Sequence, residues 1–323
     1  MRRLDNIDLR LLRVFVTLAD AGGFADAQIA LNLSQSTLST HLSALEKKIG
    51  APLCERGRRG FRLTEFGESV YAAARQLFAD IESFEARLGR DRGKLTGRLR
   101  IGMVDGVVTS PELGLQAALG RFCRYAPDVF LDLALGTPRE LERAVTEGTR
   151  DVVIGPMSQK APQITYRAFC REPHALYCGA GHVLFETPDD AIAREDVEKC
   201  AFSVRGYLHF DDLYRANHPR PAGTVMHMEA QVMMILSGQY IGFLPCHIGE
   251  DWAGRRRMRA LKRDIYSFAS QHFTAVRTSE ARRPLLLAFL RELRRNAGHA
   301  ADAHKDPAAA GTAVASSPAE YGG

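Results

Sequence analysis

The segment SQSTLSTHLS, residues 34–43, gathers short, uncharged hydrogen-bonding side chains on a stretch whose apolar residues keep helical spacing. Leu38, Leu42, Leu45 and Ile49 fall on one face of an α-helix. Gln35, Ser36, Thr37, Thr40 and His41 occupy the opposite face. Amide, hydroxyl and imidazole groups there suit the donor and acceptor pattern of base edges in a major groove. Ser34 stands at the N-cap position. Gln28, one helix earlier, adds a phosphate contact if it faces outward. Between positions 47 and 62, Lys47, Lys48, Arg56, Arg58, Arg59 and Arg62 meet a single acid, Glu55. That local excess fits a phosphate backbone, with Arg56 and Arg58 as its candidate contacts.

A second set of polar residues follows strand-like segments further along. Asp105, Thr109 and Ser110 come after LRIGMVD, Thr137 after VFLDLALG, and Met157 and Ser158 after RDVVIGP. Ser203 and Arg205 end CAFSVR. Strand ends and helix starts are where α/β folds place small ligands. Hydroxyls beside a helix N-terminus suit an anion, and Arg205 suits a carboxylate. Asp105 has the opposite sign, so an organic acid and a cationic or neutral ligand both stay open.

These residues need elements to position them. Leu9, Leu12, Phe15, Val16 and Ala19 predict a first helix, closed by Gly22-Gly23. Phe24, Ala27, Ala30 and Leu31 line the inner side of a second, and Leu33 closes the corner into the helix of Leu38–Ile49, a helix-turn-helix pattern. Gly50 and Pro52 end that helix, and LCERGRRGFRL reads as a two-stranded wing with its arginines at the tip. Thr64 caps a long helix to about residue 90. Its stripe of Val70, Ala73, Ala74, Leu77, Ile81, Phe84 and Leu88 calls for a partner, the nearest being the same helix of a second subunit.

From Arg98 onward strands and helices alternate, the pattern of a parallel sheet with helices on its faces. The Thr109-Ser110-Pro111-Glu112 run predicts a helix start there. The expected organisation is a DNA-binding domain over 1–63, a linker helix over 64–92, and an α/β domain over 98–296. That α/β domain divides into subdomain I (98–168 and 268–296) and subdomain II (169–267), and a disordered Ala/Gly/Ser/Pro-rich tail covers 297–323.

The 323 residues, 46% hydrophobic and 25% charged with net charge +5, match an ordinary soluble, mildly basic protein of two domains. No apolar run is long enough to span a membrane, and MRRLDNIDLRLL does not read as a secretion signal. The six cysteines are scattered singly and predict free thiols in a reducing cytoplasm, with Cys123, Cys170 and Cys178 buried as small residues. A Gly-rich phosphate loop, a GxSxG elbow, HExxH and paired metal ligands are all missing, so neither catalysis nor a cofactor or metal is expected. The cluster Arg255, Arg256, Arg257, Arg259, Lys262 and Arg263 reads as a solvated surface.

With Phe15, Gly23-Phe24, Ala27, Leu33-Ser34-Gln35, Ser39, Leu42, Leu45-Glu46, Gly50, Leu53, Glu55-Arg56 and Leu63-Thr64-Glu65-x-Gly67 in this order, the chain resembles the LysR-type transcriptional regulators from Leu9 to about Asn296. The resemblance implies a winged helix-turn-helix and a periplasmic-binding-protein-like effector domain of two α/β subdomains. It implies a cytoplasmic regulator of promoter DNA that pairs through the linker helix into homodimers and tetramers and binds a small effector between the subdomains. The alternative is a regulator with no small ligand, responding to thiol oxidation or acting constitutively. Ser36 replaces the proline, and Thr40 the arginine, that the family often carries.

Overall fold

The computed structural model describes residues 6–57, 60–91, 95–157, 161–208 and 211–303. Helices α1 (Asn6–Asp20), α2 (Phe24–Leu31) and α3 (Gln35–Ile49) precede a hairpin of β1 (Cys54–Gly57) and β2 (Gly60–Leu63), paired antiparallel. Phe15, Leu18, Leu38, Leu42 and Leu53 are fully buried in their shared core. The turn into α3 is set by Ser34, whose hydroxyl accepts from the Thr37 N–H, and the exit by Gly50 at φ 90°, in the left-handed region. Phe61 of the wing meets Phe24 of α2 edge to face. Ala30, expected on the inner side of α2, is exposed; Ala27 carries the packing.

The long helix α4 (Glu65–Asp91) starts where the sequence places it. The Thr64 hydroxyl accepts from the Gly67 N–H and donates to the Pro52 carbonyl. Position 67 has to be glycine, because a Cβ there would collide with the Leu53 carbonyl oxygen. The first half of the α4 stripe is taken up at home: Ala74 is buried, and Val70, Tyr71, Leu77 and Phe78 pack on the winged-helix core. Phe84, further along, is exposed.

The α/β part runs β3 (Gly97–Met103), α5 (Leu115–Tyr125), β4 (Val129–Leu135), α6 (Pro138–Thr146), β5 (Val152–Gly155), β6 (Ile164–Gly179), α7 (Arg194–Lys199), β7 (Ala201–Arg205), α8 (Asp211–Ala216), β8 (Gly223–Val225), α9 (Met228–Leu236), β9 (Tyr240–Pro245), α10 (Cys246–Gly254), β10 (Met258–Ala260), β11 (Ser267–Arg277) and α11 (Pro284–Ala303). The strand order is β4-β3-β5-β11-β6-β9-β7-β8, with β10 on β6. β3 pairs parallel with β4 and β5, and β7 parallel with β8 and β9, whereas β6 and β11 are antiparallel to each other.

Cores form at both ends of this sheet. Leu99, Ile101, Phe122, Val152 and Phe289 belong to one, subdomain I. Phe202, Val204, Ile241 and Phe243, backed by Tyr177, Ile235 and Leu244 on the opposite face, belong to the other, subdomain II. β6 and β11 run through both, and their register shifts between His272 and Phe273, midway between the cores.

Several expectations need correcting. Residues 109–112 form turns, not a helix start; α5 begins only at Leu115 after Gly114 at φ 53°. The expected disordered tail from 297 is helical as far as Ala303, and its remainder lies outside the described residues. Of the three cysteines expected to be buried, Cys178 is, Cys170 is half-buried, and Cys123 is exposed because α5 turns Leu115, Ala118 and Phe122 inward.

Candidate functional site

In the first candidate region, α3 is held from beneath by Leu38, Leu42 and Leu45, so its polar side faces away from the core. Gln35, Ser36 and Thr40 are exposed, and Thr37, His41 and Gln28 are half-buried. The hydroxyls are already engaged with one another. Ser34 Oγ lies 2.9 Å from Ser36 Oγ and 2.8 Å from Thr37 Oγ1, and Thr40 Oγ1 donates back to the Ser36 carbonyl at 2.9 Å. His41 turns its Nε2 inward, where it is buried without a hydrogen-bond partner among the described residues. Among these side chains Gln35 therefore offers the whole of its amide to an incoming surface. Arg56 lies in β1, but its side chain, like the whole of Arg58, falls outside the described residues.

The Ser34 hydroxyl anchors this cluster as well as the helix. Ser34→Ala is expected to lower winged-helix stability by about 1 kcal/mol. Thermal unfolding of the full chain checks it; an unchanged midpoint would show that the cap contributes nothing.

The second region lies where the subdomains face each other. Asp105, in the turn after β3, accepts from the Met228 N–H at the start of α9 in subdomain II. Its neighbour Gly106 passes so close that a Cβ would meet Met228 Cγ at 2.9 Å. Thr109 Oγ1 lies 2.8 Å from His247 Nδ1, at the start of α10. Two loop residues of subdomain I thus touch two helix starts of subdomain II.

Beneath them lies a buried polar cluster that sequence reasoning missed. Glu172 Oε1 is 3.2 Å from His247 Nε2, and Glu172 Oε2 is 3.1 Å from His272 Nε2. Glu172, His174 and His272 are each at most 4% exposed. Arg205, expected to be offered to a ligand, is instead claimed by the chain itself. It forms a bidentate pair with Asp212 at 2.7 and 3.0 Å, and its Nη1 is 3.2 Å from His174 Nε2. Ser203 is also committed, its hydroxyl 2.6 Å from Gln231 Oε1. Thr137 caps α6 in a reciprocal box with Glu140, Ser110 Oγ accepts from the Leu113 N–H, and Met157 is buried with the core of subdomain I. Ser158 lies outside the described residues. The structure therefore brings Asp105 and Thr109 to the facing surfaces and uses Ser110, Thr137, Met157, Ser203 and Arg205 for internal bonds and packing.

Burial pushes the Glu172 carboxyl up, but hydrogen bonds from His247 and His272 outweigh it and hold the carboxyl well below the usual carboxylate range. His174 is pushed down to about 3 by burial and by Arg205. Burial raises the Cys170 and Cys178 thiols to about 12 and the Cys200 thiol to about 11, against thiolate reactivity.

A depressed carboxyl stabilises the fold above the unfolded value, near 4.3, and loses that contribution as pH falls toward the folded value. The native chain is therefore expected to lose stability more steeply than Glu172→Gln below about pH 5. Thermal midpoints between about pH 7 and 3 check this, and parallel curves would remove Glu172 from the acid response.

Among the described residues no helix is long and apolar enough to cross a membrane, and no group of side chains is arranged to hold a metal ion. Two family models match the chain: the bacterial regulatory helix-turn-helix protein of the lysR family over residues 9–68, and the LysR substrate binding domain over 92–298. The HTH-type transcriptional activator BauR of Pseudomonas aeruginosa is 33% identical over 286 residues, covering 88% of this chain and 93% of its own. The SDS degradation transcriptional activation protein of a Pseudomonas strain is 33% identical over 55% of this chain and 58% of its own. A full-length OxyR variant from Pseudomonas aeruginosa shares the fold, with a TM-score of 0.63 at 21% identity over 91% of this chain and 96% of that one. CbnR, a LysR family transcriptional regulator solved alone and with its target DNA, gives a TM-score of 0.61 at 20% identity over 90% of this chain and 99% of that one. With both family models and a relative matched along nearly its whole length, the chain belongs to the LysR-type transcriptional regulators, carrying a helix-turn-helix DNA-binding end and a substrate-binding domain.

Proposed function

We propose that α3 reads promoter DNA through Gln35, with Ser36, Thr37, Thr40 and His41 beside it. Ser34 and Gln28 meet the backbone, and Arg56 and Arg58 of the wing contact phosphates. A small effector binds between the subdomains, in the cleft bridged by Asp105 and Thr109, and changes how the subunits sit on the promoter. The chain acts in the cytoplasm as a regulator rather than a catalyst. It pairs through α4 into a homodimer that can assemble into a tetramer.

The observation that carries this reading is the pair of contacts from subdomain I loops to the starts of α9 and α10. A ligand entering there meets both halves at once, so its binding energy can shift their relative placement. A CbnR structure with target DNA supports the role of the winged helix. The raised Cys170, Cys178 and Cys200 thiols speak against oxidation sensing at those three positions.

Footprinting of a bound promoter with and without metabolites of the neighbouring pathway tests the effector. The expected result is a footprint that lengthens, shortens or shifts with one metabolite class; a footprint indifferent to every metabolite would overturn ligand control. Arg56→Ala is expected to weaken binding equally on specific and random DNA and to reduce the salt slope by about one. Gel-shift titrations across salt concentrations measure it, and an unchanged slope would remove Arg56 from the phosphate contacts.

A further inference from the structure

The winged-helix end meets subdomain I along a second joint, away from the cleft between the subdomains. Arg277 closes β11, and its Nη1 donates to Gln76 Oε1 of α4 at 3.0 Å. Beside this joint lies a cavity of about 370 Å³. Helices α1 and α4 form one wall, and β3, β4 and the turn before β5 form the other. Cavities of this size where two parts of a chain meet are preferred places for small ligands.

Five arginines and two aspartates line the cavity. Both aspartates are taken: Asp20 pairs with Arg75 at 3.0 Å, and Asp132 with Arg150 at 2.7 Å. Arg100 stands 3.9 Å from Asp151, a carboxylate that Arg283 holds more closely at 2.8 Å. Arg13 of α1 and Arg98 of β3 remain. Both are exposed, and neither has a carboxylate partner among the described residues. Their guanidiniums lie over the rings of Phe78 and Phe130, at 5.1 and 4.5 Å from the centroids. Arg277 adds its charge from behind Gly148, where a Cβ would meet its Nη1 at 2.5 Å. Arginine does not lose its proton in a protein, so this positive excess depends on no titration state. Like charges gathered in a cleft with low-dielectric walls focus their potential into it. Two guanidinium forks without carboxylates, one from each wall, suit the oxygens of an anion carrying more than one charge.

We propose that this cavity binds a compact dianion, bearing a phosphate group or two carboxylates, between Arg13 of the winged-helix end and Arg98 of subdomain I. A monoanion answers only one of the two arginines. The site is separate from the cleft bridged by Asp105 and Thr109 and does not rest on it. Bound there, the dianion ties α1 to β3 and favours the placement in which the winged helix rests on subdomain I.

The test uses the full chain without DNA, with inorganic phosphate and succinate as probes and acetate and chloride as controls. All are compared at equal ionic strength and at a mildly alkaline pH, where phosphate is mostly the dianion. Calorimetric titration and thermal shift read the binding. At least one dianion is expected to bind and raise the melting midpoint, and the controls to do neither; which dianion binds separates a phosphoryl ligand from a dicarboxylate. Arg13→Gln and Arg98→Gln each remove one charge, from opposite walls, and both positions are exposed, so the cores are left intact. Each is expected to weaken the dianion on the order of tenfold, the loss of one charge-assisted contact. Arg124→Gln, at an exposed arginine of α5 outside the cavity, is expected to change nothing. Absence of binding by both dianions overturns the proposal, as does binding that neither cavity variant weakens. A loss in only one of the two variants overturns the bridge between the walls. Acetate binding as tightly as the dianions, with the same losses, overturns the requirement for two charges. If neither dianion binds while Arg98→Gln lowers the salt slope of promoter binding, the arginines serve the DNA backbone and the small-molecule site falls.

Discussion

Asp212→Ala is expected to destabilise subdomain II by about 3–5 kcal/mol, the cost of leaving one member of a buried ion pair uncompensated. Asp212 is fully buried, and Arg205 is 4% exposed. The carboxylate holds the guanidinium through two hydrogen bonds and also accepts from the Arg205 backbone N–H at 3.3 Å. Removing it strands a charge that cannot shed its proton. The partners that would remain are both neutral or weak acceptors: the Tyr207 side chain, and His174, which is stacked on Phe268 and supplies a single nitrogen. The double variant Arg205→Met/Asp212→Leu is expected to recover most of the loss, because an apolar pair of similar volume avoids the stranded charge. Trp252, the sole tryptophan, packs in subdomain II beside Ile235 and Leu244, so its fluorescence during urea unfolding reports the affected part of the chain. If the single and double variants unfold at the same urea concentration, the loss comes from packing and not from the unpaired charge.

The same pair shows what can be read from the sequence and what cannot. Local signals are legible because they act within a few residues. Ser34, Gly50 and Thr64 mark their helix ends by cap chemistry, and the structure shows those caps. The alternation of strands and helices after Arg98 reveals the α/β class for a similar reason. Arg205 reads as a ligand group because its partner is not visible in a strand-end pattern, although Asp212 lies only seven residues on. Glu172, His174 and His272 look like surface residues in a sequence, since only tertiary pairing lets such groups be buried. The full length of β6 is hidden too. Arg171, Glu172 and Pro173 interrupt its apolar run, so that only ALYCG reads as strand, yet it continues from Ile164 to Gly179. The helix start expected at Thr109 is absent because Ser110 spends its hydroxyl on a turn and Gly114 postpones the helix.

Within the DNA-facing surface, Gln35→Ala is expected to lower affinity for the specific promoter by about 1–3 kcal/mol while leaving binding to random DNA unchanged. The hydroxyls of Ser34, Ser36 and Thr37 form a closed set within the first turn of α3, and Thr40 is tied to the backbone. Each must break or share a bond before it can read a base. Gln35 is exposed and has no such commitment, and an amide presents a donor and an acceptor together, the arrangement that matches adenine in the major groove. With Ser36 and Thr40 in place of the family's frequent proline and arginine, no guanidinium stands on this face to dominate recognition. The proposed reading therefore places most of the discrimination on Gln35. Thr37→Val removes a hydroxyl already used inside the protein, so it is expected to cost less specificity than Gln35→Ala. Competition gel shifts of the promoter fragment against random DNA measure both. Equal losses on the two DNAs for Gln35→Ala would mean that its amide meets the backbone and that the bases are read from elsewhere on α3.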